Sequence, residues 1–149
     1  MKNFIARAAL RDLPRLAELL GYLFEQESDF KPILRKQKAG LKAILRDPKI
    51  GCLWVAKRDG HVVGMVSLLY TISTAEGGRV AWLEDLVVDP SYRGQGIGKS
   101  LLRFVIAYGR KKGLKRITLL TDMDNQKAKV LYKSHGFISS KMTPFRLSL

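Results

Sequence analysis

The stretch VVDPSYRGQGIGK, residues 87–99, stands between two regular elements and decides how the chain folds. Residues 82–88 are mostly apolar and predict a buried strand, whereas Ile97, Leu101 and Val105 recur at helical spacing. Between the two elements, glycine occupies every second position. A helix N-terminus exposes unpaired N–H groups and the positive end of its dipole, and glycines let that backbone approach a ligand closely. The stretch therefore predicts a strand–loop–helix unit that binds phosphate oxygens.

Spacing separates three kinds of phosphate-binding loop. The first glycine of a P-loop would fall on Arg93, and the third glycine of a dinucleotide fingerprint would fall on Lys99. Residues 93–98 instead meet the pattern [RQ]-x-x-G-x-[GA] in full. The alternative is an ordinary strand-to-helix turn, which needs only one residue with positive φ. Three glycines favour the phosphate-binding loop over that turn.

The length and composition are typical of one globular domain over residues 1–149. Apolar residues make up 46% of the chain, and no apolar stretch is long enough to cross a membrane. Residues 1–7 are too short and too soon interrupted by charge for a signal peptide. The single cysteine, Cys52, excludes an internal disulfide and, with two histidines, disfavours a structural zinc site. We therefore expect a cytoplasmic protein without a metal.

The charge balance is strongly basic. There are 27 Lys and Arg residues against 13 Asp and Glu residues, a formal charge of +14. This surplus favours an anionic partner, either nucleic acid or a small molecule that carries phosphates, although most of these lysines are explained by a solvated surface. Within this basic chain, Glu25, Glu27 and Asp29 form an acidic cluster. The cluster either attracts a cationic amine to the mouth of a site or is a solvated loop.

Hydrophobic periodicity and turn residues predict the remaining elements. Asp59-Gly60 is a strong signal for a two-residue hairpin. A strand, a crossover helix and a second strand around the phosphate loop form a right-handed parallel unit. The predicted strands are residues 3–8, 52–57, 61–71, 82–88, 117–121, 137–138 and 143–149, and the predicted helices begin near Asp12, Ile33, Ile97 and Asn125.

Two motifs resemble the GNAT superfamily of N-acyltransferases. Residues 93–98, with their flanking strand and helix, resemble its acyl-CoA pyrophosphate loop, and residues 125–137 resemble its N-x-x-A…LY-x-x-x-GF signature. The resemblance is good from about Trp54 to Phe137. It implies a GNAT-like fold, in which a central mixed sheet of six to seven strands is flanked by about four helices. It also implies that the two central parallel strands splay apart to admit pantetheine.

The resemblance implies transfer of an acetyl group from acetyl-CoA (coenzyme A) to an amine acceptor. The amine attacks the thioester directly, without a covalent enzyme intermediate. Tyr132 is then the general acid for the departing thiolate; the alternative is a core aromatic residue with a satisfied hydroxyl. The implied cofactor-binding residues are Leu86, Val87, Val88, Arg93, Gly94, Gln95, Gly96, Ile97, Gly98, Lys99, Asn125, Ala128 and Tyr132.

Two adjacent acids, Glu84 and Asp85, stand in an otherwise apolar strand. Buried carboxylates are costly unless they are paired, and strand alternation places these two on opposite faces. A protonated amine is not a nucleophile, so a nearby group must take its proton. Glu84 is the first candidate for this catalytic base and Asp85 the second; an ion pair with a nearby Lys or Arg is the alternative. Glu25, Glu27, Asp29 and Glu84 are candidate substrate-binding residues.

The identity of the acceptor is open among three hypotheses. Residues 82–88 loosely resemble the small-amine branch of the superfamily, which includes polyamine and aminoalkylphosphonate acetyltransferases, and this favours a small-molecule amine. The second hypothesis is a protein lysine or N-terminus. The third is a basic nucleic-acid-binding module with a degenerate cofactor site, which is disfavoured because Lys and Arg are spread over every segment. We expect no membrane partner, and the resemblance is compatible with a homodimer formed through the last strand.

Overall fold

The computed structural model describes residues 4–149; Asn3, the expected start of the first strand, lies outside them. Two short 3₁₀ turns, Leu10–Asp12 and Pro90–Tyr92, accompany the regular elements. The strands are β1 Phe4–Arg7, β2 Gly51–Arg58, β3 His61–Ser73, β4 Gly78–Val88 and β5 Ile117–Leu119. The helices are α1 Leu13–Gln26, α2 Leu34–Arg46, α3 Ile97–Lys111 and α4 Gln126–Ser134.

The five strands form one mixed sheet in the order β1-β2-β3-β4-β5. The first three pairings are antiparallel and β4 pairs with β5 in parallel, so the mixed α/β architecture expected from the sequence is confirmed. The hairpin between β2 and β3 turns at Asp59 (φ 49°) and Gly60 (φ 80°). Both residues are in the left-handed region, as the predicted two-residue turn requires.

Helices cover both faces of the sheet. One face packs against α3 and the other packs against α1 and α2, which gives two apolar layers. The α3 layer includes Cys52, Ala56, Val63, Val66, Leu68, Leu83, Leu101, Leu102 and Val105. The α1–α2 layer includes Leu16, Leu19, Leu20, Leu41, Leu53, Val55, Met65 and Val87.

A β-bulge interrupts β4 at its two acidic residues. Asp85 lies opposite Ser67 of β3, and Leu83 lies opposite the next residue, Leu68, so Glu84 is an extra residue without a counterpart. Leu83 and Leu86 consequently both pack in the α3 layer, although they are three positions apart. Beyond the bulge, Leu86 and Val88 pack in the α3 layer and Val87 packs in the α1–α2 layer, as strand alternation predicts.

The parallel pair β4 and β5 stays together for three residues only. Ala81–Leu83 pair with Ile117–Leu119. Residues 84–88 then continue as strand with β3 on one side, and on the other side no strand of the described residues pairs with them. The splayed parallel strands expected from the sequence are therefore confirmed. The opening between them begins at the bulge.

The two strands predicted at the C-terminal end do not form, so the sheet built by residues 4–149 has five strands rather than six or seven. Residues 138–149 make no backbone-to-backbone hydrogen bond to any residue between 4 and 149. They run instead to the segment between α1 and α2, where Arg146 pairs with Asp29. Pro144 also lacks an N–H group to donate to a sheet. The alternating pattern of Phe145 and Leu147 thus predicted a strand, but within residues 4–149 this segment pairs with neither edge strand of the sheet, β1 or β5.

Candidate active site

A cleft of about 1670 Å³ opens where β4 and β5 separate. Its walls come from the end of α1, from α2, from β4 with the loop after it, from the start of α4 and from the C-terminal tail. Two predicted site residues, Gln95 and Glu25, are not among its lining residues. The others line it together: Glu27, Asp29, Glu84, Asp85, Leu86, Val87, Val88, Arg93, Gly94, Gly96, Ile97, Gly98, Lys99, Asn125, Ala128 and Tyr132.

The glycine-rich loop presents six consecutive unpaired amides. None of the N–H groups of residues 94–99 donates a hydrogen bond within residues 4–149, and the next amide, that of Ser100, donates to the Gly96 carbonyl at 3.0 Å. Gly94 (φ 73°) and Gly96 (φ 78°) adopt the left-handed conformation, and Gly96 is the N-cap of α3. A row of free N–H groups at a helix N-terminus is an anion-binding arrangement.

Arg93 is held at the edge of this loop by contacts within the chain. Its Nε donates to the Val88 carbonyl at 3.2 Å. With the Gln26 amide oriented oxygen towards Arg93, that oxygen accepts from both Nη atoms at 2.6 and 2.8 Å. Arg93 therefore joins the loop to β4 and to α1. Gln95 accepts a hydrogen bond from Arg58 instead of lining the cleft.

Asp89 fixes the turn between β4 and the loop. Its side chain accepts from the Ser91 amide at 2.8 Å and pairs with Arg15 of α1, whose Nε also donates to the Val62 carbonyl at 2.9 Å. Burial alone would raise the pKa of Asp89. The hydrogen bonds from Arg15 and Ser91 and the positive charge of Arg15 outweigh burial and hold this pKa below its usual value. Arg15 was not predicted from the sequence, because its partner lies 74 positions away.

Asp85 lies against a buried hydroxyl group. The Ser67 Oγ donates to Asp85 Oδ2 at 3.2 Å and accepts from the Asp85 amide at 3.1 Å. Burial, followed by repulsion from Glu84, raises the pKa of Asp85 to about 7, although the Ser67 hydrogen bond opposes the shift. Glu84, the bulge residue, is exposed to the cleft. Neither Glu84 nor Asp85 forms an ion pair within residues 4–149. The alternative prediction, an ion pair with a nearby Lys or Arg, is therefore wrong.

Two further carboxylates, those of Glu27 and Asp122, come from distant segments of the chain and also line the cleft. Burial and the charges of Asp122 and Glu84 raise the pKa of Glu27, while the charge of Arg146 lowers it. The Ser28 hydroxyl donates to Asp122 at 3.3 Å, and the guanidinium of Arg146 lies 5.4 Å from the centre of the Phe30 ring. Asp122 and Arg146 were not predicted as site residues. Within residues 4–149, no group of His, Cys, Asp and Glu side chains is arranged to hold a metal ion.

Tyr132 projects from α4 into the same cleft. Its ring packs edge-on against Phe137, with centroids 5.8 Å apart, and its hydroxyl makes no hydrogen bond to the described part of the chain. Burial and the charge of Glu27 raise the pKa of Tyr132, so the phenol is protonated at neutral pH. Asn125 caps α4, its Oδ1 accepting from the Ala128 amide at 3.1 Å. This capping contact fixes where α4 begins.

Splayed parallel strands, a free-amide loop and an adjacent set of acids define an acyl-CoA-dependent acyltransferase. The chain belongs to the Acetyltransferase (GNAT) family, which it matches over residues 9–137. Transfer of an acetyl group from acetyl-CoA to an acceptor is general in this family. The resemblance found in the two sequence motifs is therefore confirmed.

Individual relatives agree with this membership. The chain is 34% identical to the glucosamine 6-phosphate N-acetyltransferase of Trypanosoma brucei brucei, over 85% of this chain and 82% of that protein. It is 32% identical to the N-acetyltransferase YhfO of Bacillus subtilis, over 89% and 88%. N-acetyltransferase 8 of Rattus norvegicus is 38% identical over 64% of this chain, but the chain spans only 43% of that protein.

Solved structures support the fold. A possible acetyltransferase from Clostridium difficile 630 superposes with a TM-score of 0.88 at 22% identity, covering 100% of this chain and 99% of that one. A Trypanosoma brucei acetyltransferase superposes with a TM-score of 0.76 at 30% identity, covering 99% and 100%. Within residues 4–149, no helix is both long enough and apolar enough to span a membrane.

Proposed function

We propose that the protein transfers an acetyl group from acetyl-CoA to the primary amine of a small molecule by direct attack. One observation carries the proposal: the six unpaired amides of residues 94–99 and the carboxylates of Glu27, Glu84 and Asp85 line a single cleft. The first group suits phosphate oxygens and the second suits a cationic amine.

The residues present fit coenzyme A. The free amides at the N-terminus of α3 would hold its pyrophosphate, with Arg93 and Lys99 adding positive charge beside them. The open side of β4, at Leu86 to Val88, offers backbone groups to the pantetheine arm, because no strand from residues 4–149 pairs there. Bound acetyl-CoA supplies an activated acetyl group. Every other part of the proposed chemistry belongs to backbone groups and side chains of this protein.

We favour Asp85 over Glu84 as the group that takes the proton from the amine. A general base works best when its pKa lies near the operating pH, and burial brings the pKa of Asp85 to about 7. The Ser67 hydroxyl holds the Asp85 carboxylate in a fixed position. Glu84 is exposed at the bulge, where it attracts the ammonium group together with Glu27. Tyr132, protonated at neutral pH, holds a proton for the departing thiolate.

A small acceptor is favoured by the relatives. The Trypanosoma brucei brucei protein, which is similar over most of both chains, is named for acetylation of an amino-sugar phosphate. Small-molecule acceptors are therefore tested first: a panel of primary amines, with a lysine-containing peptide as the comparison, assayed for release of the free thiol. Thiol release with the peptide alone would replace the small-amine proposal by the protein-acetylation alternative. If none of the acceptors in the panel causes release of the thiol, amine transfer is rejected.

The base assignment is tested by comparing Asp85→Asn with Glu84→Gln. Because a base must be deprotonated, kcat/KM of the native enzyme should rise with pH through the Asp85 pKa of about 7 and then level off. Asp85→Asn should lower kcat by about a hundredfold and remove that rise. Glu84→Gln should keep the rise but move it to lower pH, because the charge of Glu84 no longer raises the pKa of Asp85, and it should increase KM for the amine. A pH profile altered by Glu84→Gln and left intact by Asp85→Asn would assign the base to Glu84.

A further inference from the structure

The proposed base has a tryptophan as its neighbour on the sheet. Ser67 and Leu69 are two positions apart on β3, so their side chains lie on one face. Their partners on β4 are Asp85 and Trp82, which therefore share that face. It is the face that packs against α1 and α2, because Met65, two positions before Ser67, belongs to the α1–α2 layer. Along the strand, Trp82 lies about 7 Å from Asp85.

Trp82 belongs to an apolar surface inside the cleft. Leu69 lies next to it on β3, and Leu120 directly follows β5, two positions after Thr118, the residue that pairs with Trp82. Trp82 is 38% exposed and Leu120 is 51% exposed, and Leu69 packs in neither core layer of residues 4–149. All three apolar side chains line the cleft. We call Leu69, Trp82 and Leu120 the apolar patch.

The two tryptophans of the chain differ in what they contact. Trp54 packs in the core, where its ring centroid lies 4.7 Å from that of Phe104 and 5.2 Å from that of Tyr108. Trp82 makes no aromatic or cation–π contact within residues 4–149. Large apolar side chains left uncovered in a concave site commonly belong to a binding surface. Packing thus accounts for Trp54 and not for Trp82, whereas a ligand in the cleft would cover Trp82.

The position of the apolar patch beside Asp85 restricts the chemistry of the molecule that covers it. An amine whose nitrogen reaches Asp85 can lay its substituent over Trp82 on the same sheet face. An apolar substituent is stabilised when it covers apolar surface. A hydroxyl group or a second ammonium group in that place loses its hydration and gains no partner from the three patch side chains. The patch therefore suits an alkyl or aryl group.

We infer that the apolar patch determines acceptor specificity, and that the preferred acceptor is a primary amine whose substituent is an apolar alkyl or aryl group. The inference rests on the proposed amine transfer, because it assigns the reacting nitrogen to Asp85 in the same cleft. It adds the chemical class of the acceptor and the residues that contact its substituent. Because an apolar contact is the same in the ground state and the transition state, it lowers KM and leaves kcat unchanged.

The first test uses amines of graded length. Alkylamines from ethylamine to hexylamine are compared with 5-aminopentanol and 1,5-diaminopentane, which have nearly the length of hexylamine but end in a polar group. Binding to the full chain saturated with coenzyme A is measured by calorimetry, and kcat and KM are measured with acetyl-CoA. Each methylene group that lies on the patch should tighten binding about fourfold. Hexylamine should bind about tenfold more tightly than the amino alcohol and the diamine. Equal affinity of ethylamine and hexylamine, or tighter binding of the diamine, would overturn the inference.

The second test observes Trp82 directly. The chain has two tryptophans, so Trp54→Phe leaves Trp82 as the single indole fluorophore. Hexylamine should cover the indole and move its emission to shorter wavelength, whereas ethylamine, which ends short of the patch, should not. An emission unchanged at saturating hexylamine would overturn the inference. An emission that shifts with protein concentration and not with amine would assign the patch to contact with a second copy of the chain, which also overturns it.

Substitutions at Trp82 locate the effect, with a matched control on β3. Trp82→Thr removes the apolar surface but keeps a residue suited to a strand, and it should bring kcat/KM for hexylamine close to that for ethylamine. Trp82→Phe should retain most of the dependence on chain length. Ile72→Thr is the control, because Ile72 is 68% exposed on β3 but does not line the cleft. Equal loss of the chain-length dependence in Ile72→Thr and Trp82→Thr would overturn the inference.

The binding and turnover arms separate this inference from the proposed function. Binding that tightens with alkyl length but is not followed by thiol release would support the apolar patch and reject amine transfer. Thiol release at rates independent of alkyl length would support amine transfer and reject the patch. Unaltered melting temperature and coenzyme A affinity of the variants establish that the fold and the cofactor site are intact.

Discussion

The two ends of the cleft are built in different ways. The proposed cofactor end consists of backbone groups of consecutive residues, the free amides of 94–99, so its geometry follows from one turn and one helix start. The proposed acceptor end consists of side chains from the end of α1, from α2, from the bulge in β4 and from the C-terminal tail. The cofactor end is thus encoded locally, whereas the acceptor end exists only after distant segments have packed.

This difference predicts how each end tolerates substitution. At the cofactor end, a side chain placed on a glycine affects several amides at once. At the acceptor end, each residue contributes one contact, so a single substitution changes selectivity or rate more than it changes cofactor binding. Three variants test the contrast.

The largest effect is expected for Gly96→Trp. Gly96 has φ 78° at the N-cap of α3, so a side chain there both strains the loop and covers the amides. Loss of several charge-assisted hydrogen bonds should weaken acetyl-CoA binding by about a thousandfold, measured by calorimetry. Gly60→Trp is the matched control, because Gly60 has φ 80° and equal free space but does not line the cleft. Similar weakening in both variants would attribute the loss to backbone strain.

Tyr132→Phe should lower kcat by about a hundredfold with little change in acetyl-CoA affinity, since only a proton donor is removed. Measurement of kcat and of the dissociation constant for acetyl-CoA separates the two. Tyr108→Phe is the control, because Tyr108 lies outside the cleft and its hydroxyl contacts Tyr70. Unchanged turnover in Tyr132→Phe would remove Tyr132 from the mechanism.

The smallest effect is expected for Arg146→Ala. Arg146 is half exposed, pairs with Asp29 and lies close enough to lower the pKa of Glu27, so its removal makes the acceptor end more negative. KM for a cationic amine should fall by roughly twofold to fivefold, and the difference should shrink at high salt. An increased KM would mean that Arg146 itself binds the acceptor.

The same contrast explains what the sequence could predict. The loop, the flanking β4 and α3, and α4 with Tyr132 follow from motifs of consecutive residues, and the structure has these elements. The pairs Arg15–Asp89 and Asp29–Arg146 join residues far apart in the chain, and no local pattern indicates them. The tail was predicted as strand because its alternation satisfies the period of a strand, but a strand must also pair with a sheet edge, and residues 138–149 pair with neither β1 nor β5.

The bulge at Glu84 separates the demands of folding from those of activity. Because Asp85 and Leu83 lie opposite consecutive residues of β3, deletion of Glu84 would leave every remaining pairing and every buried face of β4 in place. A chain lacking Glu84 should therefore fold with a regular strand and lose the irregularity at which the parallel pair opens. Glu84 is thus a position at which the requirements of a regular strand differ from those of an open cleft.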